Sequence, residues 1–311
     1  MKKEIKVFAP ASVTNVSCGF DIMGFAINFP GDELEMKLTE KPGVRITKIT
    51  GDGGKLPLDA ELNTAGVAVM SLAKHLNYNK GIEIKLHKKI SLGSGLGSSA
   101  ASAVAGVFAL NEILGRPLTK QQLLPFALEG EKLTCGGTPH ADNVSAALLG
   151  GFIIVRSINQ LDVFNIDYPV NLYCTIVHPK IEIKTAEARR ILKNHVLLSD
   201  AVKQWGNVAG LTAGLLNKDF SLIKRSLHDV IIEPARAIFI PGFYEVKNAA
   251  LNSGALGCSI SGSGPSIFAL STSKKIAQKV GEKMQDVLTN IGTESDLYIS
   301  KINRKGPKVI K

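Results

Sequence analysis

No stretch of the 311 residues supplies the roughly 18 consecutive apolar positions that a membrane-spanning helix requires. The opening segment, MKKEIKVFAPAS, has two lysines but no apolar core of signal-peptide length ahead of Pro10; it reads as the first strand of a cytosolic protein. Cysteine is scarce. Cys18, Cys135, Cys174 and Cys258 are scattered with no C-x-x-C pair, so they are expected to be reduced packing residues rather than disulfides or zinc ligands. The six histidines show neither H-x-H nor H-x-x-x-H spacing, which argues against a transition-metal site. Aromatic residues make up 6% of the chain and do not interleave with basic ones as a nucleic-acid stacking platform would. Internal repeats, low-complexity tracts and Pro/Ser-rich linkers are also missing. Neither a nucleic acid nor a membrane is therefore expected as a partner.

What remains has the composition of a globular protein, 45% hydrophobic and 21% charged. The length allows one or two domains. The formal charge of +10 is dispersed, apart from Lys88-Lys89, Lys274-Lys275 and the tail from Lys301 to Lys311. Most of it reads as solvated surface, and the remainder can help attract a polyphosphate. Alternating apolar residues predict strands around Ile5 to Ala9, Leu34 to Leu38 and Ile82 to Leu86. Further strands are expected at Phe152 to Val155, Leu172 to Val177 and Ser266 to Leu270. Helical spacing predicts helices over 63–76, 98–114, 119–131, 186–192, 200–216 and 276–288. The irregular mixing of strands and helices points to α+β layers and not a doubly wound parallel sheet. A soft boundary falls in 157–169, dividing the chain into 1–160 and 161–311.

The strongest local signal is SLGSGLGSSAA, Ser91 to Ala101, which follows an alternating strand and leads into an alanine-rich helix. Its glycines permit close backbone approach, and free N–H groups at a helix N-terminus attract anions. Ser98 and Ser99 add hydroxyls able to reach phosphate or a magnesium ion. The lysine of G-x-x-x-x-G-K-[ST] is absent, and the G-x-G-x-G spacing differs from the dinucleotide fingerprint. Two further blocks flank this loop: APASVTNVSCGFDIMG (9–24), and GCSISGSGPSIFAL (257–270), a Gly/Ser-rich turn before a strand.

In that order the three blocks resemble those of the GHMP kinases, a family named for galactokinase, homoserine, mevalonate and phosphomevalonate kinases. The proline usual at the head of the family's phosphate loop is replaced by Ser91, which alters the turn and not the chemistry. The resemblance spans both halves of the chain. It implies an α+β, two-domain fold: an N-terminal ribosomal-protein-S5-domain-2-like α/β domain for ATP and a ferredoxin-like C-terminal domain, with the active site in the cleft between them. It further implies ATP and Mg2+ as cofactors, and a homodimer. The ATP-binding residues would be Asn63 (adenosine, with helix capping as the alternative), Leu92, Gly93, Ser94, Gly95, Leu96, Gly97, Ser98, Ser99, Ala100 and Ala101. Ser99 and Glu131 would hold the metal, with Glu129 as the alternative carboxylate.

HADN, His140 to Asn143, resembles the homoserine kinases among them. Where other members place an aspartate base, this pattern has Asn143, which cannot accept a proton. The resemblance implies L-homoserine as acceptor, giving O-phospho-L-homoserine toward threonine, by positioning of the hydroxyl rather than by a protein base. Asp142 is the nearest possible base and His140 a second, though both are expected to contact substrate or support structure. Thr185 and Arg189 are spaced i and i+4 on one helix face, and Arg236 follows Pro234 at a helix start. Arg189 and Arg236 together could clamp a carboxylate, and Asn15 with Asp21 could hold the ammonium and hydroxyl. Arg190 and Arg225 are expected at the surface.

Overall fold

The computed structural model describes residues 3–135, 139–183 and 185–311, without the side chains of Cys135, Thr185 and Ala186. In chain order the elements begin β1 (Glu4–Thr14), β2 (Met23–Thr39), β3 (Gly43–Thr50), α1 (Thr64–His75), β4 (Gly81–His87), α2 (Ser98–Ile113), α3 (Lys120–Cys135) and α4 (Ala141–Leu149). They continue with β5 (Phe152–Ser157), β6 (Asp162–Ile166), β7 (Tyr173–Pro179), α5 (Thr185–Arg190), α6 (Leu198–Asn217), α7 (Phe220–Ser226) and α8 (Glu233–Arg236). The last are α9 (Phe243–Asn252), β8 (Gly257–Ile260), β9 (Ile267–Ser271), α10 (Lys274–Asn290), β10 (Ser295–Lys301) and β11 (Lys308–Ile310). No described helix is long and apolar enough to cross a membrane.

The strands form two sheets. One is seven-stranded, running β11-β1-β2-β4-β3 with β5 paired to β2 and β6 to β5; the other runs β10-β7-β9-β8. The first is antiparallel except for the β3–β4 pair, and the second is antiparallel throughout. Two-sheet α+β layering agrees with the irregular strand–helix order of the sequence. β6 and β11 come from beyond residue 160 yet lie in the first sheet, where β11 pairs with β1 at Val7↔Val309. The second sheet is buried on both faces: Cys174, Ile176, Phe268 and Leu270 join the larger of two cores and Val177, Ile267 and Ala269 the smaller. The larger joins β1, β2 and β4 to α1, α2 and α3; the smaller packs Val280, Met284 and Leu288 of α10 against Ile260, Ile267 and Ala269.

All six predicted helices and all six predicted strands are present. The alanine-rich α2 is buried around nearly its whole circumference, because small side chains let α1, α3 and β1 approach it from several sides. Its N-terminus consequently sits at the inner end of the cleft between the two sheets, not on the outer surface. The Gly/Ser-rich turn of GCSISGSGPSIFAL joins β8 to the expected strand, β9, in a hairpin paired at Ile260↔Ile267.

Candidate active site

The phosphate loop connects β4 to α2. Gly95 has φ +76° and Gly97 φ +68°, left-handed values that glycine adopts without penalty. A Cβ on Gly95 would fall 2.4 Å from the Ser261 carbonyl oxygen and 2.8 Å from that of Gly264. A Cβ on Gly97 would meet Ser12 Oγ at 2.2 Å and Asn143 Oδ1 at 2.7 Å. The C-terminal hairpin closes directly onto this loop. Ser261 Oγ donates to the Gly95 carbonyl at 2.8 Å, and Ser266 N to the Ser94 carbonyl at 3.2 Å. Beneath it lies an ion pair, fully buried. The Lys88 ammonium contacts Asp32 and also donates to the Ser98 carbonyl (2.7 Å) and Ser102 Oγ (2.8 Å). Asp32 Oδ1 in turn accepts from the backbone of Lys89 (2.8 Å) and Ile90 (3.0 Å), so the start of the loop is tied to β2.

Beside the loop, Glu131 projects from α3 and is 2% exposed. Its Oε1 accepts from Ser99 Oγ at 3.1 Å and lies 2.9 Å from His140 Nδ1, while Oε2 is buried with no partner. A buried carboxylate oxygen in that state fits a hard cation with oxygen ligands. Burial disfavours the His140 imidazolium, but Glu131, Asp142 and Asp21 outweigh it and raise the pKa. Asp142 is pushed up to about 6, by burial first and by the Asp21 charge second, against the pull of His140.

Across the cleft the side chains form a linked set. Asn143 Oδ1 accepts from Ser12 Oγ (2.9 Å), and its Nδ2 donates to Thr14 Oγ1 (3.2 Å) and Asp142 Oδ1 (3.4 Å). Asn15 and Asp21 lie on the β1–β2 connection, which turns sharply. Asn15, Val16, Ser17 and Asp21 all have positive φ, each costing roughly 1–2 kcal/mol for a residue with a Cβ. Asn15 fastens this turn by accepting from Asp21 N (3.1 Å) and donating to the Gly262 carbonyl (2.7 Å). Arg189 is ion-paired with Asp21. Arg236 is buried and donates to the carbonyls of Gly262 (2.9 Å) and Ala188 (3.3 Å). Burial and the neighbouring Arg189 bring its pKa down to about 10, against Asp21 and Asp229, so it stays charged. Both guanidiniums lie over the Phe20 ring, at 5.7 and 5.0 Å. Asp229 aims the short α8 by accepting from the backbone of Ile231, Ile232 and Glu233. The two halves enclose a cleft of about 300 Å³.

The sequence of the chain matches the family models "GHMP kinases N terminal domain" over 63–151 and "GHMP kinases C terminal" over 211–290. It is 50% identical over 320 residues to the homoserine kinase of Chlorobium phaeobacteroides, spanning 99% of this chain and all of that one. The crystal structure of homoserine kinase from Cytophaga hutchinsonii is 59% identical, covers 100% of this chain and 98% of that one, and superimposes with a TM-score of 0.98. The chain belongs to the GHMP kinase family, and within it to the homoserine kinases. A mevalonate kinase from L. major, crystallised with R-mevalonate, shares the fold at a TM-score of 0.71 and 18% identity, with 97% of each chain covered.

In this GHMP kinase the cleft gathers Asn15, Asp21, Asn63, Leu92, Gly93, Ser94, Gly95, Gly97, Ser98, Ser99, Glu131, His140, Asn143, Arg189 and Arg236. The side chains of Leu96, Ala100 and Ala101, residues expected among the ATP contacts, pack into the core beneath the loop. The Ser98 hydroxyl, expected on phosphate or metal, donates to the Ile90 carbonyl at 3.0 Å and braces the loop. Asn63 caps α1, with Oδ1 accepting from Ala65 N (3.0 Å), and also borders the cleft, so both alternatives describe the same side chain. Glu129 pairs with Lys132 on the outer face of α3, which leaves Glu131 as the carboxylate in the cleft. The Thr185 side chain lies outside the described residues. Ser12, Thr14, Phe20 and the Asp32–Lys88 pair were not legible as site residues. Each matters through a contact with a residue far away in sequence, and a lone serine or a Lys-Lys pair carries no sign of that.

Proposed function

We propose that the kinase transfers the γ-phosphate of ATP to the side-chain hydroxyl of L-homoserine by positioning and charge stabilisation, with no protein base. The observation carrying this reading is the joining of an anion-binding helix end to a paired-arginine pocket in one cleft. The backbone N–H groups after Gly93, Gly95 and Gly97 face the phosphates. Glu131 and Ser99 would hold magnesium, which supplies charge neutralisation at the β- and γ-phosphates. Arg189 and Arg236 take the substrate carboxylate, while Asp21 and Asn15 take the ammonium. Asn143 is held through Ser12 and Thr14, and its Oδ1 keeps one lone pair to accept from the acceptor hydroxyl. The hydroxyl is thereby aimed in line, and its proton leaves late in a loose transition state. Asp142 and His140 lie near enough to tune this charge, each already engaged with a neighbour.

The same reading divides the chain at 1–160 and 161–311, and places the enzyme in the cytoplasm as a homodimer. The buried thiols of Cys18, Cys174 and Cys258 are free, as suits a reducing compartment. A coupled ADP-release assay with homoserine, mevalonate and galactose side by side tests the proposal. Turnover is expected with homoserine. Turnover with another alcohol and none with homoserine would overturn it.

A further inference from the structure

The kinase reaction leaves unused the basic run near the C-terminus. This run lines a second cleft, of about 550 Å³, which shares no residue with the first. Lys301, Arg304, Lys305 and Lys308 surround it, and Tyr168 is part of its lining. The turn carrying the cations is held from several directions. Asn303 Oδ1 accepts from Lys305 N and Gly306 N, both at 2.9 Å, and Asn303 N donates to the Ala26 carbonyl at 2.8 Å. Gly306 has φ +68°, and a Cβ there would come 2.3 Å from the Leu148 carbonyl oxygen. The Lys120 ammonium donates to the Lys305 carbonyl.

Three of the four cations rest on aromatic faces: Arg304 over Tyr168 at 5.6 Å, Lys301 over Tyr173 at 5.4 Å and Lys308 over Phe8 at 5.4 Å. A ring orients a cation without cancelling its charge. None of the four joins an ion pair among the described residues, and the nearby Asp167 is paired with Lys218 at 3.4 Å. An independent sign of a ligand comes from Tyr168. It is 5% exposed, yet its hydroxyl has no hydrogen-bond partner, a condition that costs free energy until something satisfies it.

We propose that this cleft is a second anion site, taking a small solute with two or more phosphate groups. Four cations from the end of β10 to the start of β11 suit a spread of negative charge better than a single carboxylate, and the Tyr168 hydroxyl offers a directional bond. The test is calorimetric titration of the full chain with inorganic diphosphate at low ionic strength. Two equivalents are expected to bind, one displaced by ADP from the phosphate loop and one not. Arg304→Gln with Lys305→Gln removes the second equivalent and leaves turnover unchanged; both side chains are exposed, so the fold tolerates the change. Tyr168→Phe keeps the ring and weakens the second equivalent about three- to tenfold. A single equivalent fully displaced by ADP overturns the proposal. So does an equal loss in Lys274→Gln with Lys275→Gln, a basic pair outside the cleft, since that reports general charge alone.

Discussion

The phosphate side of the active cleft and its acceptor side are built in different ways. The phosphate side is mostly backbone: a strand, a glycine turn and a helix end, contiguous from Gly81 to Ile113. Its shape is set by close approach, with the Ser261 and Gly264 carbonyls occupying the space that a side chain on Gly95 would need. The acceptor side consists of side chains delivered by segments as far apart as Asn15, Asn143 and Arg236. There, position depends on hydrogen bonds and charge: Asn15 to Gly262, Asn143 to Ser12 and Thr14, Arg189 to Asp21. A backbone site fails when a Cβ is added, whereas a side-chain site fails when an atom is removed. The two halves should therefore break independently.

The largest effect is expected from Gly95→Val. The new side chain meets the backbone oxygens of Ser261 and Gly264, both in the hairpin turn, at a φ that a β-branched residue avoids. Calorimetric titration with ADP should find affinity reduced beyond measurement, on the order of a thousandfold. Unchanged ADP affinity would show that the loop does not hold the phosphates. Arg236→Ala is the counterpart on the acceptor side. Removing a buried guanidinium from a charge-paired site costs about 2–5 kcal/mol, so kcat/KM for homoserine should fall roughly thirtyfold to several thousandfold. ADP affinity should hardly move. If ADP binding fell in parallel, the separation of the two halves would be wrong.

The same difference explains how much could be read from the sequence. A strand, G-x-G-x-G and a helix start are neighbours in the chain, so periodicity and glycine spacing located the phosphate loop from one window. The acceptor residues are legible only through resemblance to the GHMP motifs, since the Pro234 ahead of Arg236 marks a helix start and not a ligand, and by charge Arg225 is an equal candidate. The folded chain buries Arg236 and leaves Arg225 exposed. Loop residues were legible as a run but not by direction. Leu96, Ala100 and Ala101 face the core, and the Ser98 hydroxyl turns back to Ile90. Which way a side chain points depends on α1 and β1, whose packing no window of the loop contains. The short β11 is not legible either, because its pairing partner β1 lies about three hundred residues away.

The Asp32–Lys88 pair is where the phosphate side does depend on side chains, and it sharpens the comparison. Asp32→Ala leaves the Lys88 ammonium buried and uncompensated, which should cost about 3–5 kcal/mol in urea unfolding. Replacing both partners, Asp32→Asn with Lys88→Met, should recover much of that loss, because the amide Oδ1 still accepts from Lys89 N and Ile90 N. A loss below 1 kcal/mol for the single change would mean that the Ser98 carbonyl and Ser102 hydroxyl alone satisfy the ammonium.

The smallest effect runs in the opposite direction, toward stabilisation. Asp142 carries a folded-state pKa of about 6 against an ordinary value of 3.8, so the folded chain binds its proton more tightly than the unfolded chain does. That contribution is fully present below the unfolded value and is lost as pH rises through the folded one. At pH 7 the folded protein therefore keeps a buried carboxylate ionised beside Asp21, at a cost of about 2–3 kcal/mol. Asp142→Asn removes the charge, and its Oδ1 can still accept from Asn143 N, as the carboxylate does at 2.9 Å. The variant should match the parent near pH 4 and exceed it by up to about 2–3 kcal/mol at pH 7, with the gap opening between those values. Urea unfolding across that range, without ligands, checks the sign. A gap that closes as pH rises would mean that the ionised carboxylate holds the acceptor side together, as charge does at Arg189 and Asp21.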